Sequence, residues 1–152
     1  MKALITGSGG FVGRYLVKEL ERCGDEVICC TSKGDAGTVQ MNIMDAEQVS
    51  AVIGETRPDV LFNMAGQANV ALSWKFPQQT FALNAIGFTN ILEAVRRIDP
   101  KIRLIAVGSA DQYGSLETKG ANVTEEIPTQ PKSPYAVSKV AQENMAKAYC
   151  RA

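Results

Sequence analysis

The chain has 152 residues with 16 basic and 16 acidic side chains, and it contains no His. This length suits one domain with a hydrophobic core. The balanced charge gives no general attraction to nucleic acid or to anionic lipid, so we expect a small-molecule partner and neither a nucleic-acid nor a membrane partner. The lack of His excludes a Ser-His-Asp triad and a His-based zinc site.

The first predicted elements are a strand at residues 2–6, a glycine-rich loop at residues 7–13 and a helix in which Val12, Leu16 and Leu20 recur at helical spacing. Glycine permits positive φ and lets the main chain approach a ligand closely. A helix N-terminus adds unpaired N–H groups and a partial positive charge. Glycines alone also occur as ordinary loop residues. Between a strand and a helix, they predict binding of a dinucleotide pyrophosphate.

The second predicted strand, residues 26–31, contains two of the four cysteines, Cys29 and Cys30. Neighbours in a strand point to opposite faces, and no two cysteines have the C-x-x-C spacing. We therefore expect free thiols, no metal site and a reducing, cytoplasmic setting. No apolar run reaches membrane-spanning length, and we expect no export signal.

Another helix and two strands follow. A loop with two glycines leads to a short strand at residues 39–41. Asp45 is predicted to cap a helix, because Gln48 follows three residues later, and this helix ends before Pro58. Residues 60–64 are predicted to form a strand whose largely apolar sequence is typical of burial on both faces of a parallel sheet.

A long helix is predicted after Pro77, with a buried stripe that includes Ile91 and Val95, and a fifth strand spans residues 102–107 and ends at Gly108-Ser109. Strands and helices therefore alternate along the chain. This alternation predicts an α/β fold with a Rossmann-like, doubly wound parallel sheet.

Residues 115–133 lack periodicity and contain Pro128 and Pro131. This segment predicts either a functional or mobile loop, or a solvated linker. A last helix is predicted to begin at Ser133-Pro134 and to run to the end of the chain.

The last helix places Tyr135 and Lys139 four residues apart on one face. A nearby ammonium ion stabilises a tyrosinate, which suits an acid/base residue. Taken alone, such a pair is common on surface helices. In an open α/β sheet, however, ligands bind at the carboxyl ends of the strands, where the glycine loop and Ser109 are both expected. The three elements therefore point to one crevice.

Three motifs together resemble the extended short-chain dehydrogenase/reductases, specifically the nucleotide-sugar epimerase/dehydratase group: Thr6-Gly7-x-x-Gly10-x-x-Gly13, Ser109 with Tyr113-Gly114, and Tyr135-x-x-x-Lys139. The resemblance covers essentially the whole chain. Within that group, residues 65–67, 84–87, 108–114 and 133–135 are most similar to the reductases of GDP-4-keto-6-deoxymannose, followed closely by the GDP-mannose 4,6-dehydratases.

The resemblance implies roles for individual residues. Tyr135 would be the acid/base, Lys139 would assist it and bind the nicotinamide ribose, and Ser109 would hydrogen-bond the reacting carbonyl oxygen. The predicted catalytic residues are Ser109, Asp111, Tyr135 and Lys139, and no metal ligand is predicted. The predicted cofactor-binding residues are Gly7, Gly9, Gly10, Phe11, Val12, Gly13, Arg14, Thr31, Ser32, Lys33, Asn42, Ile43, Met64, Ala65, Gly66, Tyr135 and Lys139.

The second strand indicates the cofactor. NAD-preferring members of this fold place an acidic residue at its end, whereas this chain has Thr31-Ser32-Lys33. Ser32 and Lys33, together with Arg14, would receive a 2′-phosphate, so we expect NADP(H). NAD is the alternative if the two cations are solvated surface charges. Asn42-Ile43 stands where the family has Asp and an apolar residue for the adenine.

The expected reaction is reduction of a 4-keto-6-deoxy nucleotide sugar such as GDP-4-keto-6-deoxymannose. A dehydratase of this group needs a carboxylate base, usually Glu, two residues after its Ser or Thr. The chain has the shorter Asp111 at that position and Ala110 before it, which disfavours elimination. GDP-mannose 4,6-dehydration by a lyase mechanism is the alternative.

Members of the family continue beyond the Tyr135 helix with a substrate-binding region. We therefore expect residues 1–152 to be the N-terminal NAD(P)-binding portion without that region, and a cofactor-binding fragment without turnover is a third alternative. The family also implies a homodimer through the helices after Pro77 and Pro134. A dimer face or packing on the sheet would use the apolar residues Val137, Val140, Met145 and Tyr149.

Overall fold

The computed structural model describes residues 1–35, 37–115 and 122–151. Five parallel strands form one sheet in the order β3-β2-β1-β4-β5. The strands are β1 Lys2–Thr6, β2 Glu26–Thr31, β3 Val39–Gln40, β4 Val60–Asn63 and β5 Arg103–Ala106. The chain starts in the centre of the sheet and builds outward in both directions, which confirms the predicted Rossmann-like, doubly wound fold.

Within the described residues, the helices are α1 Phe11–Arg22, α2 Ala46–Thr56, α3 Val70–Lys75, α4 Pro77–Phe81, α5 Gly87–Ile98 and α6 Pro134–Tyr149. The helix predicted after Pro77 is interrupted by a π-helical segment at Ala82–Ile86. The prediction missed α3 and a 3-10 turn at Ala110–Tyr113, because both are too short to show a helical period. Six residues of the predicted loop, 116–121, lie outside the described residues.

Two apolar layers cover the central strands. Leu4 and Leu61 face α2 and α5, where they pack with Ile53, Ile91 and Val95. The alternate residues of β1, Ala3 and Ile5, face α1 and pack with Leu20. The predicted stripe of α5 and the burial of the central strands on both faces are thereby confirmed. In the predicted pattern of α1, Leu20 is buried and Val12 is 54% exposed. Helix α6 packs mainly against α4 and the π-helical segment, and it also contacts β5.

Side chains cap three of the helices. Asp45 accepts from the backbone N–H groups of Glu47 and Gln48 at the start of α2, as predicted. Asn69 and Ser133 cap α3 and α6 in the same way. At the start of α1, Gly10 has no side chain to offer, so the first N–H groups of that helix receive no side-chain cap.

The cysteines are free thiols, as predicted. Cys30 lies in the core, and burial raises its pKa to about 12. Burial also raises the pKa of the half-buried Cys29, whereas Cys23 and Cys150 are exposed. None of the helices in the described ranges combines the length and the apolar character that crossing a membrane requires.

Candidate functional site

The glycine loop packs closely on its neighbours at two positions and leaves space at a third. Gly7 has a φ of +63°, and a Cβ atom there would lie 2.9 Å from the backbone nitrogen of Ala65. A Cβ atom at Gly13 would lie 2.5 Å from the carbonyl oxygen of Gly7. At Gly9 the nearest atom would be 3.8 Å away, on Thr31. Gly7 and Gly13 are thus needed for the fold of the loop, and Gly9 keeps the adjoining space open.

Buried hydrogen bonds fix the strand ends beneath this loop. The hydroxyl of Thr6 donates to Oδ1 of Asn63 at 2.8 Å and accepts from the backbone N–H of Ala65 at 3.0 Å. Ser8 donates through its hydroxyl to the carbonyl oxygen of Cys30 at 3.1 Å. The carboxyl ends of β1, β2 and β4 are therefore linked by polar contacts at the position where this fold binds ligands.

A cavity of about 450 Å³ opens at these strand ends. Most of the predicted cofactor-binding residues line it: Gly7, Gly9, Gly10, Thr31, Ser32, Lys33, Asn42, Ile43, Met64, Ala65 and Gly66. Three further residues line it that were not predicted from the sequence: Asp35, Met41 and Leu83. We call this space the glycine-loop cavity.

The start of α1 suits a pyrophosphate bound beside this cavity. Gly10 provides no side-chain cap, so the first N–H groups of α1 are available to a ligand. They carry the positive end of the helix dipole. Phe11 and Val12, the first two residues of α1, are 73% and 54% exposed, so the start of the helix lies at the surface. The geometry therefore fits an anionic group at the loop.

Charged residues of both signs line the glycine-loop cavity. Lys33 and Asp35 both line it. Asp35 was missed because it stands four residues beyond β2, and only the course of the loop returns it to the cavity. Arg14 lines a neighbouring cavity of about 530 Å³ instead, with Lys18 and Thr38. Gly9 borders both cavities.

Some predicted contact atoms already have partners within the protein. The Thr31 hydroxyl accepts from the backbone N–H of Gly34 at 3.0 Å and lies 3.2 Å from the Thr38 hydroxyl. Oδ1 of Asn42 accepts from the backbone N–H of Met44 at 3.1 Å. The Thr31 side chain thus shapes the loop after β2, and the amide nitrogen Nδ2 of Asn42 is the polar atom of its side chain left for a ligand.

Ser109 and Asp111 lie on the turn after β5. The Ser109 hydroxyl caps the 3-10 turn by accepting from the backbone N–H of Asp111 at 3.2 Å. Asp111 is exposed and lines a polar cavity of about 260 Å³, together with Trp74 and Lys132. The turn therefore presents a hydroxyl and a carboxylate two residues apart.

Tyr135 and Lys139 lie in the first turns of α6. Tyr135 is 8% exposed. Nζ of Lys139 donates to the carbonyl oxygen of Val107 at 2.7 Å and to Oε1 of Gln142 at 2.9 Å. Burial lowers the pKa of Lys139. These contacts place the ammonium ion at the carboxyl end of β5. Its partner Val107 stands two residues before Ser109 in the sequence.

A buried residue that sequence reasoning did not assign to the site links it together. Asn84, in the π-helical segment, accepts from the backbone N–H of Gln67 at 2.8 Å. Its Nδ2 donates to the carbonyl oxygen of Gln67 and to the hydroxyl of Ser138, both at 2.9 Å. An Asn within an apolar helical pattern was the available signal, but its partners are remote in sequence.

Residues 3–152 match the family model described as NAD dependent epimerase/dehydratase family. The chain is 32% identical to a dTDP-glucose 4,6-dehydratase of Mycobacterium tuberculosis, covering 99% of this chain and 49% of that protein. It is 27% identical to a GDP-mannose 4,6-dehydratase of Vibrio cholerae, covering 91% of this chain and 43% of that protein.

Among solved structures, a UDP-glucose 4-epimerase of Thermus thermophilus in complex with NAD superposes with a TM-score of 0.89 and 31% sequence identity. The match covers 99% of this chain and 51% of the epimerase chain. The chain therefore spans about half the length of the proteins that it matches.

Alanine substitutions separate the two functions of the glycine loop. Gly7→Ala introduces both a strained φ and a collision with the backbone at Ala65, so we expect it to destabilise the fold by more than the roughly 1–2 kcal/mol of the φ strain alone. Gly9→Ala meets no close protein atom, and we expect unchanged stability but weaker dinucleotide binding. Thermal unfolding and nucleotide titration measure the two effects.

Gly24→Ala is the matched control for this comparison. Gly24 has a φ of +81° with nothing within 4 Å of its position for Cβ, so the substitution reports the cost of the φ alone. Equal destabilisation by Gly7→Ala and Gly24→Ala would show that close packing of the loop on Ala65 is unimportant.

Proposed function

The chain belongs to the NAD dependent epimerase/dehydratase family, and from that premise we propose that it is the dinucleotide-binding portion of an NADP(H)-dependent nucleotide-sugar oxidoreductase. The observation that carries this proposal is the glycine-loop cavity, with the uncapped start of α1 beside it. Bound there, NADPH supplies the hydride for reduction of a ketone. We assign the other steps to side chains just after β5 and in the first turns of α6.

We propose a 4-keto-6-deoxy sugar nucleotide, such as GDP-4-keto-6-deoxymannose, as the substrate. Reduction of its ketone builds negative charge on the carbonyl oxygen. In this proposal Tyr135 donates a proton to that oxygen, and the Ser109 hydroxyl donates a hydrogen bond to it. Lys139 binds the nicotinamide ribose through its ammonium group. No His is required for these steps.

The second candidate is 4,6-dehydration of GDP-mannose, a lyase reaction. Two observations favour it. Dehydratases of dTDP-glucose and GDP-mannose are among the relatives of the chain. Asp111 is also exposed on the turn that carries Ser109, where a base could remove a sugar proton. A carboxylate base is essential to elimination and dispensable for ketone reduction, so Asp111 distinguishes the two reactions.

Turnover assays on the purified full-length protein test both reactions. With NADPH and GDP-4-keto-6-deoxymannose, we expect NADPH oxidation that Tyr135→Phe slows by about 10²-fold or more, since the proton donor is lost. Asp111→Asn should change this rate little. Conversion of GDP-mannose to its 4-keto product, abolished by Asp111→Asn, would establish the dehydratase instead. NADPH binding without either turnover would favour the cofactor-binding fragment.

The preference for NADP(H) over NAD(H) is part of the proposal. Lys33 and Ser32 border the glycine-loop cavity and could contact a 2′-phosphate, and Arg14 stands in the adjoining cavity. Asp35 borders the same cavity and carries the opposite charge. We propose that the cations outweigh this carboxylate.

Two substitutions of opposite sign test the cofactor preference. Lys33→Ala should weaken NADPH binding by about two- to fivefold and leave NADH binding unchanged, because an exposed charge pair contributes up to about 1 kcal/mol. Asp35→Asn should strengthen NADPH binding, since it removes a repulsive charge. Dissociation constants from fluorescence titration provide the comparison. Tighter binding of NADH than of NADPH by the unmodified chain would contradict the proposed preference.

We propose a homodimer formed through α4, the π-helical segment and α6. Phe81, Ile86 and Val137 are exposed there and line an apolar groove of about 750 Å³ with Trp74. The sequence offered four apolar residues of α6 for a dimer face, and of these Val137 lines the groove. Tyr149 instead donates to Glu93 and so joins α6 to α5. Exposed apolar side chains grouped in one place mark many interaction surfaces, and this supports the proposed dimer face.

Val137→Lys tests the proposed dimer. A charge in the apolar groove should convert the dimer to a monomer, because the ammonium ion would lose its hydration at the interface. Light scattering coupled to size-exclusion chromatography measures the mass. Val123→Lys is the control, since Val123 is 48% exposed and does not line the groove. A mass unaffected by Val137→Lys would place the interface elsewhere.

The proposed compartment is the cytoplasm. The four cysteines are free, and the Cys30 thiol is fully buried in the core. Free thiols without disulfides are typical of proteins in a reducing compartment.

A further inference from the structure

Lys139 is held by two acceptors. Its Nζ lies 2.7 Å from the carbonyl oxygen of Val107 and 2.9 Å from Oε1 of Gln142. Gln142 itself is 2% exposed, and its amide Nε2 lies 3.4 Å from the same Val107 carbonyl oxygen. A nearly inaccessible amide therefore connects the ammonium ion to the end of β5.

The chemistry of the ammonium group determines the orientation of this amide. An ammonium ion has three N–H donors and no acceptor, so only the carbonyl end of the Gln142 side chain can face it. Hydrogen bonds from a charged donor are stronger than neutral ones. Two of the three N–H donors are thus directed into the protein, and one is left for another partner.

The position of Gln142 along α6 adds a direction to this contact. Tyr135 stands one turn before Lys139, and Gln142 stands one turn after it on the same face. The Lys139 side chain is flexible and could extend toward either turn. The Gln142 and Val107 acceptors hold the ammonium ion at the carboxyl end of β5. A ligand that extends from the glycine-loop cavity along the strand ends would contact it there.

We propose that Gln142 is a positioning residue that acts on the dinucleotide through Lys139. Gln142 accepts one ammonium N–H group and the Val107 carbonyl oxygen accepts a second, so that the third faces the nicotinamide ribose. This inference rests on the proposed function, since it assigns Lys139 to the nicotinamide half of the ligand. It predicts that changes at Gln142 affect that half and spare the adenosine half.

The experiment compares binding of NADPH and of 2′,5′-ADP, which lacks the nicotinamide half. Gln142→Met keeps the side-chain volume and removes the acceptor. We expect it to weaken NADPH binding by about three- to tenfold and to leave 2′,5′-ADP binding unchanged, because a charge-assisted hydrogen bond to the positioned ammonium ion is lost. Gln142→Glu restores an acceptor and should restore NADPH binding.

Two further variants complete the design. Asn144→Met is the matched control, since Asn144 is an exposed amide on α6 that lies outside the site. In a Lys139→Met background, Gln142→Met should cause no further loss of NADPH binding, as expected of a residue that acts through Lys139. Circular dichroism checks folding. Gln142→Asn retains a buried amide but cannot reach the ammonium ion, and it provides the same test if Met is not accommodated.

The outcomes separate this inference from the proposed function. Equal NADPH affinity of the unmodified chain and Gln142→Met, or parallel losses for NADPH and 2′,5′-ADP, would overturn the positioning role alone. An unmodified chain that binds neither nucleotide would overturn the proposed function, and this inference with it.

Discussion

The buried amide of Asn84 is the contact on which the arrangement of the candidate site depends. It binds both backbone groups of Gln67, after β4, and the hydroxyl of Ser138 in α6. The packing around it is close, since a Cβ atom at Gly66 would lie 2.9 Å from its Oδ1. Leaving such buried polar groups unpaired costs about 1–3 kcal/mol each. The loop beside the cavity and the helix that carries Tyr135 are therefore held together.

The start of α1 lacks the side-chain cap found at α2, α3 and α6, and this difference has a physical consequence. Asp45, Asn69 and Ser133 satisfy backbone N–H groups that would otherwise lose hydrogen bonds. At Gly10 no side chain does so, and the loop before it is pressed against the end of β4 at Gly7. In the proposed function, a side-chain cap on α1 would place atoms where the pyrophosphate approaches. The uncapped helix start would then favour ligand binding at the expense of local stability.

Local sequence signals were sufficient for much of this fold. The glycine loop, the Asp45 cap and the apolar pattern of β4 each depend on neighbouring residues, and all were predicted. Asp35 and Asn84 escaped prediction because their roles depend on the path of a loop or on partners far away in sequence. Gln142 was missed for the same reason, as its contact with Val107 spans the packing of α6 on β5.

The core and the candidate site are stabilised by different forces. Apolar contacts bury β1 and β4 between helices, and such contacts favour proximity with little control of direction. At the carboxyl edge of the sheet, hydrogen bonds join Thr6 to Asn63 and Lys139 to Val107. Hydrogen bonds weaken steeply when their angles change, so they fix orientation as well as distance. The proposed alignment of a dinucleotide with a hydroxyl and a phenol would require this control, and the buried polar side chains Thr6, Ser8 and Asn63 lie at this edge.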